Sequence, residues 1–97
     1  MTNYSKGARF ENEVVNTLTD EGYIAQRSAG SHSPWDVVGV NFNEVRFVQC
    51  KTCKKDGAKV LEKELFKARM LNKFFPDSCK FEIWVKEYRR PVLIGVV

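Results

Sequence analysis

Phe10, Val14 and Leu18 recur at four-residue spacing in an otherwise polar stretch, which places them on one face of a helix. The pattern predicts a helix over 5–21, with Ser5 as N-cap and Gly22 placed to end it. Three short segments follow, 23–28, 36–42 and 45–52, rich in Val, Ile, Phe and Tyr and separated by the polar run 29–34 and by Asn43-Glu44. They read as a three-stranded meander, and the short second connection pairs the second and third strands antiparallel. From 58 to 75, Leu61, Leu65, Ala68, Leu71 and Phe75 recur at three or four while Lys59, Lys63, Lys67 and Lys73 take other faces, predicting a second helix stopped by Pro76. Segments 81–88 and 92–97, divided by Arg89-Arg90-Pro91, complete the pattern as two more strands. The order α-β-β-β-α-β-β describes an α/β domain, a mixed central sheet flanked by helices. No repeat, linker or low-complexity run divides it, so a single domain over 1–97 is expected.

Composition narrows the partners. With 97 residues, 43% of them hydrophobic, the chain has enough apolar material for one core and no room for a cofactor domain beside a substrate domain. No run approaches the ~20 apolar residues of a membrane span, and the polar start Met1 to Lys6 does not open a secretory signal. A soluble cytoplasmic protein with no membrane partner and no small-molecule substrate is expected. Cys50, Cys53 and Cys79 are odd in number, so reduced thiols are the default. Residues 1–48 carry 4 basic and 6 acidic side chains, whereas residues 49–97 carry 12 and 6. The C-terminal half is therefore the half suited to a polyanion, because Lys and Arg that neutralise phosphates release condensed counterions.

Side chains alternate along a strand, so Gln49 and Lys51 point one way and Cys50 the other. If the second and third strands pair, Asp36 at the start of one lies near the end of the other. An acid, an amide oxygen and an ammonium then meet at one end of the sheet. Such a group suits phosphodiester hydrolysis: oxygen ligands hold Mg²⁺ while a lysine positions a water and steadies charge on the phosphorus oxygens.

A wider pattern surrounds these residues: Lys6-Gly7 with Glu11 on the first helix, Arg27-Ser28-Ala29-Gly30-Ser31 after the first strand, Asp36 opening the second, and Gln49-Cys50-Lys51 in the third. In order and spacing, residues 5–55 resemble the PD-(D/E)XK nucleases, and within them the archaeal-type Holliday junction resolvases. The resemblance implies a restriction-endonuclease-like fold and metal-dependent hydrolysis of four-way DNA junctions, leaving a 5′-phosphate. It assigns Glu11, Asp36 and Gln49 to a Mg²⁺ site that Mn²⁺ also fills, Lys51 to the attacking water, and Ser31 to a place beside the metal. Arg27 matches the basic residue ahead of that serine. The chain departs from the family pattern where Gln49 replaces a glutamate, which leaves a metal ligand but removes its negative charge.

Lys6, Arg9, Arg27, Lys54 and Lys55 are the expected DNA contacts, with Lys59 continuing the cluster and Arg89-Arg90 a weaker one. His32 has no assigned role. Cys50, Cys53, Cys79 and His32 do not make a convincing zinc set, since a single C-x-x-C lacks a second pair. Two cuts on a two-fold symmetric junction call for a C2 homodimer, and Phe81, Trp84, Tyr88, Val92, Ile94 and Val96 are the expected surface. Two rival readings stand beside the resolvase: another PD-(D/E)XK nuclease acting on duplex, flap or single-stranded DNA, and a catalytically silent DNA-binding module.

Overall fold

The computed structural model describes residues 3–28, 34–70 and 76–97, with side chains from residue 7 onward. The expected order of elements is present: α1 (Asn3–Asp20), β1 (Ile24–Arg27), β2 (Val37–Val40), β3 (Val45–Cys53), α2 (Gly57–Arg69), β4 (Cys79–Glu87) and β5 (Leu93–Val96). The strands lie in the order β1-β2-β3-β4-β5. All neighbours pair antiparallel except β3 and β4, which are parallel and joined through α2. A parallel pair needs such a crossover because no short turn can reverse the chain twice.

α1 covers one face of the sheet through Phe10, Val14 and Leu18, which are buried with Val37, Val48 and Trp84. Its start differs from expectation: the helix begins at Asn3, so Ser5 lies within the first turn and is not the cap. Its end is as the glycine foretold. Gly22 has φ +95°, the Tyr23 amide donates to the Leu18 carbonyl and the Gly22 amide to that of Thr19, a Schellman ending that glycine enters without strain.

α2 covers the other face, packing Ala68, Val60, Leu61 and Leu65 on Phe81, Ile83 and Val85. It crosses β5 at Gly95, where an added Cβ would come within 2.8 Å of Leu65 and 3.0 Å of Leu61. The helix runs to Arg69: the Met70 amide turns back to the Lys67 carbonyl, and Lys67 and Arg69 sit in the last turn, where cations oppose the helix dipole. The expected positions Leu71, Lys73 and Phe75 lie outside the described residues.

β4 is sandwiched between the helices, so its five residues 81–85 are all buried. This corrects one expectation. Phe81 and Trp84 belong to the two cores and not to an external surface, while Tyr88, Ile94 and Val96 are exposed. Among the described residues no helix is long and apolar enough to cross a membrane.

Between α1 and the sheet lies one buried acid, Glu82, only 4% exposed. Arg46 grips it with two hydrogen bonds, Nε to Oε2 at 2.8 Å and Nη2 to Oε1 at 2.7 Å, and the Trp84 indole donates a third at 2.9 Å. The guanidinium also lies over the rings of Tyr23 and Trp84, and its hold on its proton is tightened chiefly by Glu82. Removing one member of such a pair strands the other in the interior. Arg46→Met is therefore expected to lower the unfolding free energy by about 3–5 kcal/mol, measured by denaturant titration. Arg46→Met combined with Glu82→Leu recovers much of that loss.

Candidate active site

β3 has nine residues and β2 only four, and Val37 pairs with Val48. Residues 49–53 of β3 therefore run past the start of β2, leaving an edge along which no described strand pairs. Asp36 occupies the first position on this ledge. Its amide donates to the Val48 carbonyl at 2.8 Å and its own carbonyl accepts from the Ser28 amide at 2.7 Å. Its carboxylate continues the ladder in place of a strand, with Oδ2 accepting from the Cys50 amide at 2.8 Å. Trp35 holds the turn from behind, its ring 4.3 Å from Phe47 and edge-on to Phe81.

On β3 the alternation is as expected. Cys50 packs with the α1 core, whereas Lys51 extends toward α2, its Nζ 3.9 Å from Oε1 of Glu64. Gln49 shares the Lys51 face. Glu11 enters from α1 and accepts from Arg27 Nε at 2.9 Å, and Arg27, opposite Val37, is the last residue of β1 before the turn to Asp36. Cys50 registers both acids: burial first, then the charges of Asp36 and Glu11, push its thiol well above the ordinary range. Glu11, Arg27 and Asp36 thus lie near Cys50, which faces α1, while Gln49 and Lys51, its neighbours on β3, face α2. Ser31 and His32 lie outside the described residues, as does the side chain of Lys6.

The described residues hold no group of three or more His, Cys, Asp or Glu side chains arranged for a metal. The oxygen donors nearest Cys50 are the carboxylates of Asp36 and Glu11, with the Gln49 amide one residue before it on the other face of β3. That set fits Mg²⁺, which keeps several waters and is held by one or two carboxylates together with substrate phosphate. Cys50 and Cys53 lie on different faces of the sheet, packed in separate cores.

A family model for archaeal Holliday junction resolvases, Hjc, matches residues 2–88. The chain belongs to that family. Its function is Holliday junction resolution, and it is a nuclease. Among solved structures it is similar to Hjc from Archaeoglobus fulgidus, an archaeal hyperthermophile, at 24% identity and a TM-score of 0.63, over 94% of this chain and 72% of that one. This likeness gives the fold, a restriction-endonuclease-like α/β sheet. No curated protein matches the chain.

Of the expected DNA contacts, Arg9, Lys54 and Lys55 are exposed, and Arg9 and Lys54 meet across one recess. Arg27 pairs with Glu11 and keeps part of its side chain exposed. One neighbour of a candidate site residue was missed by sequence reasoning: Glu64, which pairs with Lys51. Glu64 is three residues after Leu61 and four before Ala68, an acid on the core-facing stripe of α2, and that misplaced polarity was the available signal.

The electrostatics of Cys50 provide a check on the convergence. Burial and two nearby acids suppress its thiolate, so iodoacetamide should modify Cys50 slowly at mildly alkaline pH. Asp36→Asn removes one of the opposing charges and is expected to speed that reaction severalfold, with peptide mass spectrometry separating Cys50 from Cys53 and Cys79. An unchanged Cys50 rate would place the carboxylate elsewhere.

Proposed function

We propose that the ledge on β3 is the hydrolytic centre, and that the chain is one nuclease domain acting as a C2 homodimer to make paired cuts in a four-way junction. The observation that carries this reading is the Asp36 carboxylate bonded to the Cys50 amide, beside Gln49 and Lys51. Asp36, Gln49 and Glu11 would hold Mg²⁺, or Mn²⁺ in its place. A cation so held acidifies a bound water and neutralises charge on the phosphate oxygens.

The remaining chemistry belongs to the chain. Lys51 sits where its ammonium steadies the water and the charge that builds on the phosphorus oxygens as the new P–O bond forms and the bond to the 3′ oxygen breaks, leaving a 5′-phosphate. Glu64, at 3.9 Å, biases the flexible lysine toward one orientation. Arg27 fixes the Glu11 carboxylate through their hydrogen bond, which keeps that acid aimed at the ledge. Gln49 contributes an oxygen without charge, so the shell is less anionic than one built on three acids. Ser31 is assigned a place beside the metal by the family resemblance. Lys54 and Lys55, directly beyond the strand, follow the phosphates that flank the cut, with Lys6 and Arg9 extending the track along α1.

The dimer reading rests on β5. Ile94 and Val96 are 51% and 57% exposed on the edge strand, on the same face of the sheet as Glu82 and Trp84 but beyond the strands β1, β2 and β3 on which α1 chiefly packs. Two copies joined there would present two equivalent sites without any new residue.

Asp36→Ala and Lys51→Ala should each abolish cleavage while junction affinity stays within a few fold, because binding rests on many phosphate contacts and hydrolysis on few groups. A gel-shift titration beside a cleavage assay reads both. On a supercoiled cruciform plasmid the wild-type product should be linear, since both cuts occur in one complex, and sedimentation equilibrium should give twice the 11.2 kDa chain mass. A monomer that only nicks would refute the paired mechanism, and either variant cutting at the wild-type rate would refute the site.

A further inference from the structure

Beyond the ledge, the ends of β3 and β4 and the first half of α1 enclose an open recess of about 450 Å³. That is within the ~300–1,000 Å³ typical of sites for small molecules or single groups. Arg9, Thr52, Lys54, Lys86, Tyr88 and Arg89 line it, so four cations face it, and Glu13 is the one described carboxylate on its wall. The recess opens at the end of β3 where Thr52 shares the α1 face of the strand with Cys50, whose amide holds Asp36, while Gln49 and Lys51 face the other way.

The turn that supplies Tyr88 and Arg89 is built at a conformational cost. The Arg90 amide donates to the Glu87 carbonyl at 3.0 Å, closing a four-residue turn, and its third position, Arg89, has φ +60°. Glycine is the residue that takes this position freely. Arginine holds it here, and its guanidinium lies over the Tyr88 ring, 5.2 Å from the centroid. Lys86 Nζ bonds to the Arg90 carbonyl and Arg90 pairs with Glu87, so the turn is tied down on both sides. The Tyr88 ring itself is 66% exposed and contributes little to either core. A strained arginine, an exposed ring and converging cations on the same concave wall point to a bound group with a flat face and a negative charge.

We infer that this recess receives one unstacked nucleotide of the DNA substrate, its base against Tyr88 and its phosphate among Arg9, Lys54 and Arg89. The inference rests on the nuclease reading and deepens it, because it supplies a source of branch selectivity. In a linear duplex both faces of each base are covered by neighbours. At the crossover of a four-way junction the arms join end to end without a continuous backbone on every strand, so a protein that parts them uncovers a base face for an aromatic ring. Phosphate contacts alone would draw any DNA equally. A base-stacking ring favours DNA in which a base is more easily uncovered.

The test compares affinity for a four-way junction and for a linear duplex of equal length, using the full chain and its Tyr88→Ala and Tyr88→Phe variants. Tyr88→Ala should weaken junction binding about tenfold and leave duplex binding unchanged, while Tyr88→Phe keeps the wild-type ratio because the ring and not the hydroxyl does the stacking. A 2-aminopurine placed at the branch point should show a change in fluorescence on binding wild-type protein that Tyr88→Ala removes. Arg89→Gly should melt at a higher temperature, through relief of the left-handed backbone, yet bind the junction more weakly. Equal losses on junction and duplex, or no loss with Tyr88→Ala, would overturn the inference. So would an Arg89→Gly protein with intact junction affinity. Cleavage is scored separately: selective binding loss in a wild-type background that never cuts DNA would leave the recess standing and remove the nuclease reading.

Discussion

The hydrogen bond from the Cys50 amide to the Asp36 carboxylate is the contact on which the arrangement of this site depends. It sits where β2 stops and β3 continues, so a side chain replaces the strand that the sheet lacks. That substitution satisfies a backbone donor that would otherwise lie unpaired along the ledge. It also holds the acid at the backbone of Cys50, between Gln49 and Lys51 along β3. A slip of β2 by one residue would turn Val37 away from the α1 core, so hydrophobic burial and acid placement enforce the same register.

The two ends of β3 do different work. Near its start, Arg46 and Glu82 form a buried, three-way hydrogen-bonded pair beneath α1. Near its end the polar groups are half-exposed and face open space. The first arrangement locks helix to sheet, and charges so enclosed are costly to separate. The second leaves cations and acids accessible to a substrate. β3 and β4 are parallel and run their full length together, so the rigid end holds the chemical end in place.

Much of this was legible in the chain. Period-four spacing located α1, alternation separated Gln49 and Lys51 from Cys50, and the short connection after Phe42 implied the β2–β3 hairpin. The structure adds the reason that hairpin forms: the Asn41 side chain accepts from the amides of Asn43 and Glu44. Other features depend on packing across the chain and left no local trace. The burial of Phe81 and Trp84 follows from β4 lying between both helices, and a strand covered on two faces looks like surplus apolar surface when read alone. Glu64 meets Lys51 only because α2 packs on β4, the neighbour of β3. The start of α2 is equally nonlocal: Asp56 makes no side-chain cap, and the Gly57 amide is taken by Glu87 from β4. The left-handed Arg89 goes against local preference, and such disagreements between residue and backbone gather where a structure serves a ligand.

The central claim is that the Asp36 ledge hydrolyses DNA at a branch. Its most direct measurement incubates wild-type protein with an end-labelled synthetic four-way junction, once with Mg²⁺ and once with EDTA. Symmetric cuts near the branch with Mg²⁺ and intact strands with EDTA are the predicted result. A junction that is bound tightly but never cut, with Mg²⁺ or Mn²⁺ present, would contradict it and make the chain a DNA-binding module whose Gln49 had ended catalysis.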